Sequence, residues 1–458
     1  MIDQCGHRAI DGREVRRLLF GGQIFAQSLG DLGDGQMRVD RFEHRQDRDP
    51  GCHPAEPMSP QQFTDPLDDG RIQRRGLGHP SSMRAAAARL AVMASMSRGD
   101  PPRSISDVLP AAAALLADEV RRVAVVLVDG MGWHLLPALA DDAPLLAAVL
   151  AGDAGRLDEL ACTFPSTTPT SLASLTTGAT PGEHGILGFT VKLPDSDQVL
   201  NHIFWRDDPP AAQWQPVPTW FERLRQAGVD ARAVLPAAFL GSGLTEAAYR
   251  GAQLCAASHD DDYAQLVVNE LRAAPGLVYA YTAALDTAAH VFGVTSPEWH
   301  AAAAHVDALL TRLVEALPPD AALLITADHG GLNVPAHERI DLDADPRLSA
   351  GVRAVAGDPR VRYLYTEPGA APDVTAAWSE LLDGRAEVRS RDDAVAAGLF
   401  GSVRPEHLPR IGDVVVTCTG DTAVLATAHE PPEVAQLVGF HGAADPVEMA
   451  IPLISFRG

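Results

Sequence analysis

The chain has 458 residues, with 60 acidic and 37 basic side chains for a formal charge of −23, and 46% of it is hydrophobic. That composition fits a folded globular protein rather than a mainly disordered one. A field of this sign repels phosphate backbones and anionic lipid, which excludes nucleic-acid polymers and membrane surfaces as main partners. A small anionic substrate then needs metal ions or local dipoles to reverse the sign inside its pocket.

Residues 1–100 are rich in Arg, Asp, Gln, Gly, His and Pro and keep no sustained period of 2 or 3.6. They read as a largely irregular N-terminal extension, with short helices expected near 15–25 and 83–96. A second reading places the start of translation at Met83, Met93 or Met96; an intact mass matching residues 1–458 would exclude it. Arg16 and Arg17 precede LLFGGQIF, a short run for a twin-arginine export signal, and no apolar core of a signal peptide is evident. No stretch reaches about 18 uncharged apolar residues, so no transmembrane helix is expected. Cys5, Cys52, Cys162, Cys255 and Cys418 are widely spaced and form no CxxC pair, which fits reduced thiols in a cytoplasmic protein.

From about residue 105 the pattern changes. Segment 123–128 (VAVVLV) is a continuous apolar run of the kind found in strands buried on both faces, and 231–235, 277–281 and 322–326 repeat it. Helices are expected between them, at 218–227 before Gly228 and at 300–317. The alternation predicts an α/β fold: a mainly parallel sheet, helices on both faces, and a site at the carboxyl ends of the strands. Segment 191–216, with Trp205 and Trp214, is an irregular excursion. Residues 334–415 read as a small α+β cap insertion, with a strand at 360–366 and helices near 374–382 and 392–399. At 413–417 (DVVVT) the chain is expected to return to the main domain.

Three of the candidate chemical residues or pairs follow buried strands. Asp129 sits at the end of VAVVLV before a glycine turn; a carboxylate there needs a partner or a metal, or it caps the next helix. In TFPSTTPTSLASLTTG (163–178), Pro169 suits the first helical position, which makes Thr168 the N-cap beside unpaired N–H groups that suit an oxyanion. Capping alone explains many such threonines. Asp286 and His290, four apart after a strand, share one helical face and can share one metal. Asp328 and His329 end another strand before two glycines, which let backbone crowd a ligand. His441 lies in GFHGAADP. Together these are three Asp, three His and a hydroxyl. That inventory suits two metal ions with three protein ligands each, spaced about 3.5–4 Å to clamp attacking and leaving oxygens. The absence of thiolates fits zinc, with manganese as the alternative.

The motifs VDGMG (128–132), FPSTTPTSLASLTTGATPGEHGILG (164–188), LDTAAH (285–290), ADHGG (327–331) and HG (441–442) resemble the nucleotide pyrophosphatase/phosphodiesterase family of the alkaline phosphatase superfamily. The resemblance implies an alkaline-phosphatase-like catalytic domain over 101–458, with 334–415 as its cap. It makes Thr168 the nucleophile, forming a phosphothreonine intermediate. One metal falls to Asp129, Asp328, His329 and Thr168, and the other to Asp286, His290 and His441. The implied activity is hydrolysis of phosphodiester or nucleotide pyrophosphate bonds in a small phosphorylated substrate; a phosphomonoesterase, a phosphonate hydrolase or a non-catalytic phosphate binder are the alternatives. His184 matches too and reads as packing for the nucleophile helix. Ser171 stands where well-known members carry an Asn, which leaves one short hydroxyl donor in place of an amide. Cys162 is followed by Thr-Phe-Pro-Ser, not by the CxPxR motif of the sulfatase branch. No basic residue lies in 163–178 to meet the extra charge of a monoester, which favours diesters unless a distant arginine such as Arg206 or Arg339 supplies it.

Overall fold

A computed structural model of the protein describes residues 102–257 and 263–458. The helices expected near 15–25 and 83–96 and the later start lie outside these residues.

The chain order of the main strands is β1 (Arg122–Val128), β2 (Arg156–Ala161), β3 (Ala231–Pro236), β4 (Gln253–Ala257), β5 (Gly276–Thr282) and β6 (Ala321–Thr326). The small-sheet strands follow: β7 (Val352–Asp358), β8 (Val361–Thr366), β9 (Ala386–Ser390) and β10 (Val414–Cys418). The last strand, β11 (Ala450–Arg457), returns to the main sheet, whose spatial order is β2-β11-β6-β1-β5-β3-β4. β1 pairs in parallel with β5 and β6, β3 in parallel with β4 and β5, and β11 runs antiparallel to both its neighbours, β2 and β6. This is an α/β fold with a mostly parallel seven-stranded sheet. Every residue of β1 after Arg122 is buried, as is all of β6, so both faces of the centre are covered. Helices α1 (Val108–Asp118) and α3 (Tyr263–Ala273) pack on β1 and β5, and α5 (Pro297–Glu315) packs on α3. Between them in sequence lie α2 (Thr168–Thr177) and α4 (Ala284–Phe292). Among the described residues no single helix is long and apolar enough to cross a membrane.

The sheet positions the site directly. β6, β1 and β5 are adjacent, and their pairing runs to Leu127 opposite Thr326 and Val128 opposite Thr282. Three parallel strands therefore stop side by side. The turns after β1 and β6 carry Asp129 and Asp328, and the first turn of α4 after β5 carries Asp286.

The second sheet is antiparallel, ordered β7-β8-β10-β9. Segment 413–417, expected to rejoin the main domain, does not enter the main sheet. Strand β10 pairs with β8 on one side and β9 on the other, so this sheet runs past residue 415. Side chains alternate across β8. Tyr363 and Tyr365 join a core with Phe164 and Ala173 of the Thr168 region, whereas Leu364 joins Trp378 of helix α6 (Ala371–Leu381). Trp205 and Trp214, on the 191–216 excursion, are buried in the first of these cores. Their indole N–H groups donate to Pro209 O and His202 Nε2, at 2.9 Å each.

Candidate metal centre and nucleophile

All seven residues singled out in the sequence come together. Thr168 is not the N-cap. Thr167 is extended at φ −134° and ψ 145°, and its carbonyl accepts the Ser171 N–H at 3.0 Å, which makes Thr167 the cap and Thr168 the first helical residue. Gly178 ends the helix in the left-handed region, φ 69°. Beneath α2, Ser174 Oγ lies 2.8 Å from His184 Nε2, and His184 Nδ1 accepts the Ile186 N–H. His184 thus pins the helix that carries Thr168.

Three side chains meet His329 at its Nε2. Thr168 Oγ1 is 3.2 Å away, Asp129 Oδ1 3.4 Å and Asp328 Oδ2 3.6 Å. On the neighbouring side, His290 Nε2 is 3.2 Å from Asp286 Oδ2 and 3.1 Å from His441 Nε2. His441 Nε2 is 4.0 Å from Asp286 Oδ1. The His329 and His441 rings stack with centroids 3.6 Å apart, so the two groups abut. Asp286 stands between them: its ligand atoms cluster with those of His290 and His441, and also with those of Asp129 and His329.

Each imidazole is aimed by its other nitrogen. Nδ1 of His329, His290 and His441 meets the carbonyls of Gly330, Gly439 and Ser166 at 2.9, 2.8 and 2.8 Å. A ring that donates Nδ1–H to a carbonyl turns the lone pair of Nε2 toward the centre, as metal-ligating histidines do. The carboxylates are half satisfied. Asp328 Oδ1 accepts the N–H groups of Gly130 and His329, and Asp129 Oδ2 accepts the Tyr281 hydroxyl. Asp129 Oδ1 and Asp328 Oδ2 are buried with no hydrogen-bond partner. Two orphaned carboxylate oxygens beside one imidazole nitrogen are costly without a cation. The donor set therefore fits a divalent metal.

Electrostatics tell the same story. Burial, with Asp328 and Asp286 adding to it, pushes the Asp129 carboxyl well above the usual range. Burial likewise raises Asp328, against the pull of His329. At Asp286 burial acts upward, but His290, His441 and His329 outweigh it and hold the carboxyl low. Burial lowers His290, yet Asp286 overcomes it and carries the imidazole up to about 9. His441 is pushed well down by burial and by His329.

Glycines make the convergence sterically feasible. A Cβ on Gly130 would sit 2.9 Å from Asp286 Cβ, and one on Gly132 would strike Gly330 Cα. A Cβ on Gly330 would overlap Val447 O.

Several supporting residues escaped the sequence reading. Tyr281 lies in a buried strand and reads there as core. Ser166 donates to Ala443 O and accepts the Gly442 N–H, tying the Thr168 loop to the His441 loop. Glu448, fully buried, accepts the Ala443 N–H on its side chain and the Gly330 N–H on its carbonyl. Arg360, also fully buried, pairs with Glu448 at 2.6 Å. A buried Arg and Glu were the only available hint, and burial is not visible in one sequence. Arg339 is occupied: its guanidinium donates to Val334 O and Ala435 O and lies over the Phe440 ring. His337 is exposed beside Glu338.

A family model described as Type I phosphodiesterase/nucleotide pyrophosphatase matches residues 123–444, and the chain belongs to that family. No curated protein matches it in sequence. Among solved structures, murine ectonucleotide pyrophosphatase/phosphodiesterase 5 is similar at TM-score 0.60 and 18% identity, over 74% of this chain and 88% of that one. An inactive form of the same enzyme in complex with AMP gives 0.59 and 18%, over 73% and 87%. Phosphonoacetate hydrolase from Sinorhizobium meliloti 1021, in complex with phosphonoacetate, gives 0.55 and 20%, over 74% and 90%. The fold is thus alkaline-phosphatase-like.

Proposed function

We propose that this family hydrolase is a dinuclear-metal phosphodiesterase or nucleotide pyrophosphatase with Thr168 as its nucleophile. The observation that carries the reading is the meeting of Thr168 Oγ1 and the orphaned oxygens of Asp129 and Asp328 at one imidazole nitrogen, beside the Asp286–His290–His441 group. Asp129, Asp328, His329 and Thr168 would hold one divalent ion, and Asp286, His290 and His441 the other, with zinc or manganese suiting these N/O donors. Bound there, the ions supply positive charge for the substrate oxygens and a lower pKa for the hydroxyl. Thr168 Oγ1, half-buried at the start of α2, attacks phosphorus. The bond from phosphorus to the leaving oxygen breaks, and that oxygen takes the electron pair and the hydroxyl proton. Water then cleaves the phosphothreonine, restoring the hydroxyl.

Two observations support a diester or pyrophosphate substrate. Arg339, a candidate for a monoester's extra charge, spends its donors on backbone carbonyls. The similar murine enzyme has been captured with AMP, which supports a nucleotide-containing substrate. We also assign the cap to the small sheet. It is tied to the segment after α2 by Tyr363 donating to Leu187 O and Arg410 donating to Gly185 O, each at 2.7 Å. The test compares p-nitrophenyl phosphate with bis-p-nitrophenyl phosphate on zinc- or manganese-loaded protein. The diester should turn over faster, and Thr168→Ala should lose more than about a thousandfold in kcat while retaining metal. Normal rates in that variant would refute the nucleophile. No turnover of any ester by loaded protein would favour a phosphate-binding role.

A further inference from the structure

Among the described residues, Tyr281 is the one side chain outside the ligand set that bonds a ligand carboxylate through its side chain. It lies near the end of β5, five residues before Asp286, and is 5% exposed. Its ring packs on Phe239 at 5.6 Å. Its backbone N–H and carbonyl both meet the Tyr263 hydroxyl, so the residue is anchored on two sides. Its phenol donates to Asp129 Oδ2. The other oxygen, Oδ1, has no hydrogen-bond partner and faces His329 Nε2 at 3.4 Å. One oxygen of the carboxylate is therefore committed to the protein and the other is left bare toward the centre.

We propose that Tyr281 is a positioning residue that fixes Asp129 as a one-oxygen ligand of the metal it would share with His329. The inference rests on the dinuclear reading above. A carboxylate free to rotate could turn either oxygen, or both, to a cation. A neutral donor rigidly held on Oδ2 removes that freedom and selects one geometry. Outer partners of this kind tune metal affinity by about 10–100-fold. Phenylalanine at position 281 keeps the ring and its packing on Phe239 while deleting only the donor.

The test is a zinc titration of the full, metal-stripped chain against a chromophoric chelator, which needs no turnover. The natural protein should show two sites. Tyr281→Phe should weaken one of them about 10–100-fold and leave the other within a factor of about three. Asp129→Asn should weaken the same site, and adding Tyr281→Phe to it should weaken that site no further, because the phenol acts through the carboxylate. Circular dichroism and the metal-free melting temperature check that each variant is folded. Unchanged affinity at both sites in Tyr281→Phe, equal weakening of both, or full additivity with Asp129→Asn would overturn the inference and leave the dinuclear reading standing. A natural protein that takes up no zinc would overturn both.

Discussion

Glu448→Gln is the substitution whose cost follows most directly from the packing. Glu448 and Arg360 are each fully buried, with Nη2 to Oε2 at 2.6 Å and Nε to Oε1 at 3.3 Å. Burial raises the Glu448 carboxyl, and Arg360 offsets only part of that. The pair is therefore not strongly favourable in itself, but each half depends on the other. An amide in place of the carboxylate leaves the guanidinium buried without its counter-charge. Breaking such a pair from one side costs about 3–5 kcal/mol. Arg360→Met should cost a similar amount, since it strands the carboxylate. The double variant Arg360→Met/Glu448→Leu buries no lone charge. It loses the bonds from Arg360 to Gly420 O and Thr422 O and from Ala443 N–H to Glu448. At about 1 kcal/mol each, that is about 3 kcal/mol. The double variant should thus be no less stable than either single one, a coupling of several kcal/mol. Urea unfolding followed by fluorescence measures it through the midpoints at constant m. Single losses below about 1 kcal/mol, or costs that simply add, would refute the reasoning.

His202 supplies a pH test away from the metal centre. Burial, with its Nε2 accepting the Trp214 N–H, holds it neutral, and its pKa falls to about 4. The unfolded chain takes up that proton first as pH drops, so His202 contributes stability above about pH 6.5 that is lost between there and pH 4. That amounts to about 3 kcal/mol, and the stability difference between the natural protein and His202→Gln should shrink by that order from pH 7 to pH 4. A pH-independent difference in urea midpoints would contradict it. Chelator treatment should abolish ester turnover, with zinc or manganese restoring it. Loading metal to a hundred times its Kd should stabilise the fold by about 2.7 kcal/mol per site. A melting temperature unmoved by metal would count against the centre.

Much of the fold and the convergence of the seven side chains were legible, for one physical reason. Strands buried on both faces must be continuous apolar runs, so β1, β3, β5 and β6 announce themselves, and polar residues just past their ends stand out. The i,i+4 spacing of Asp286 and His290 translated directly into a 3.2 Å contact on α4. Other elements lacked that signature. β2 (RLDELA) is an edge strand with a single fully buried residue, so no apolar run marks it. β11 contains Pro452, which argues against an internal strand. Its pairing with β6 begins only at Leu453, opposite the last residue of β6, so on that side the proline sits beyond the ladder and is paired only with Glu159 of the edge strand β2. The run in β10 revealed burial but not which sheet buries it. Tyr281 was invisible because an aromatic in a buried strand looks like core until its hydroxyl is seen to reach Asp129.

The close nesting of Gly130 on Asp286, and of Gly132 and Gly330 on each other's backbone and that of Val447, constrains what later variation can do. Even a methyl group at any of these points would wedge two ligand-bearing segments apart, or one of them from the Val447 carbonyl, and the donors would lose their common focus. Changes in selectivity are therefore expected to come from outside this stack, from the 191–216 excursion and the smaller sheet proposed as the cap. Laboratory evolution aimed at a new leaving group should randomise those regions and keep the three glycines untouched.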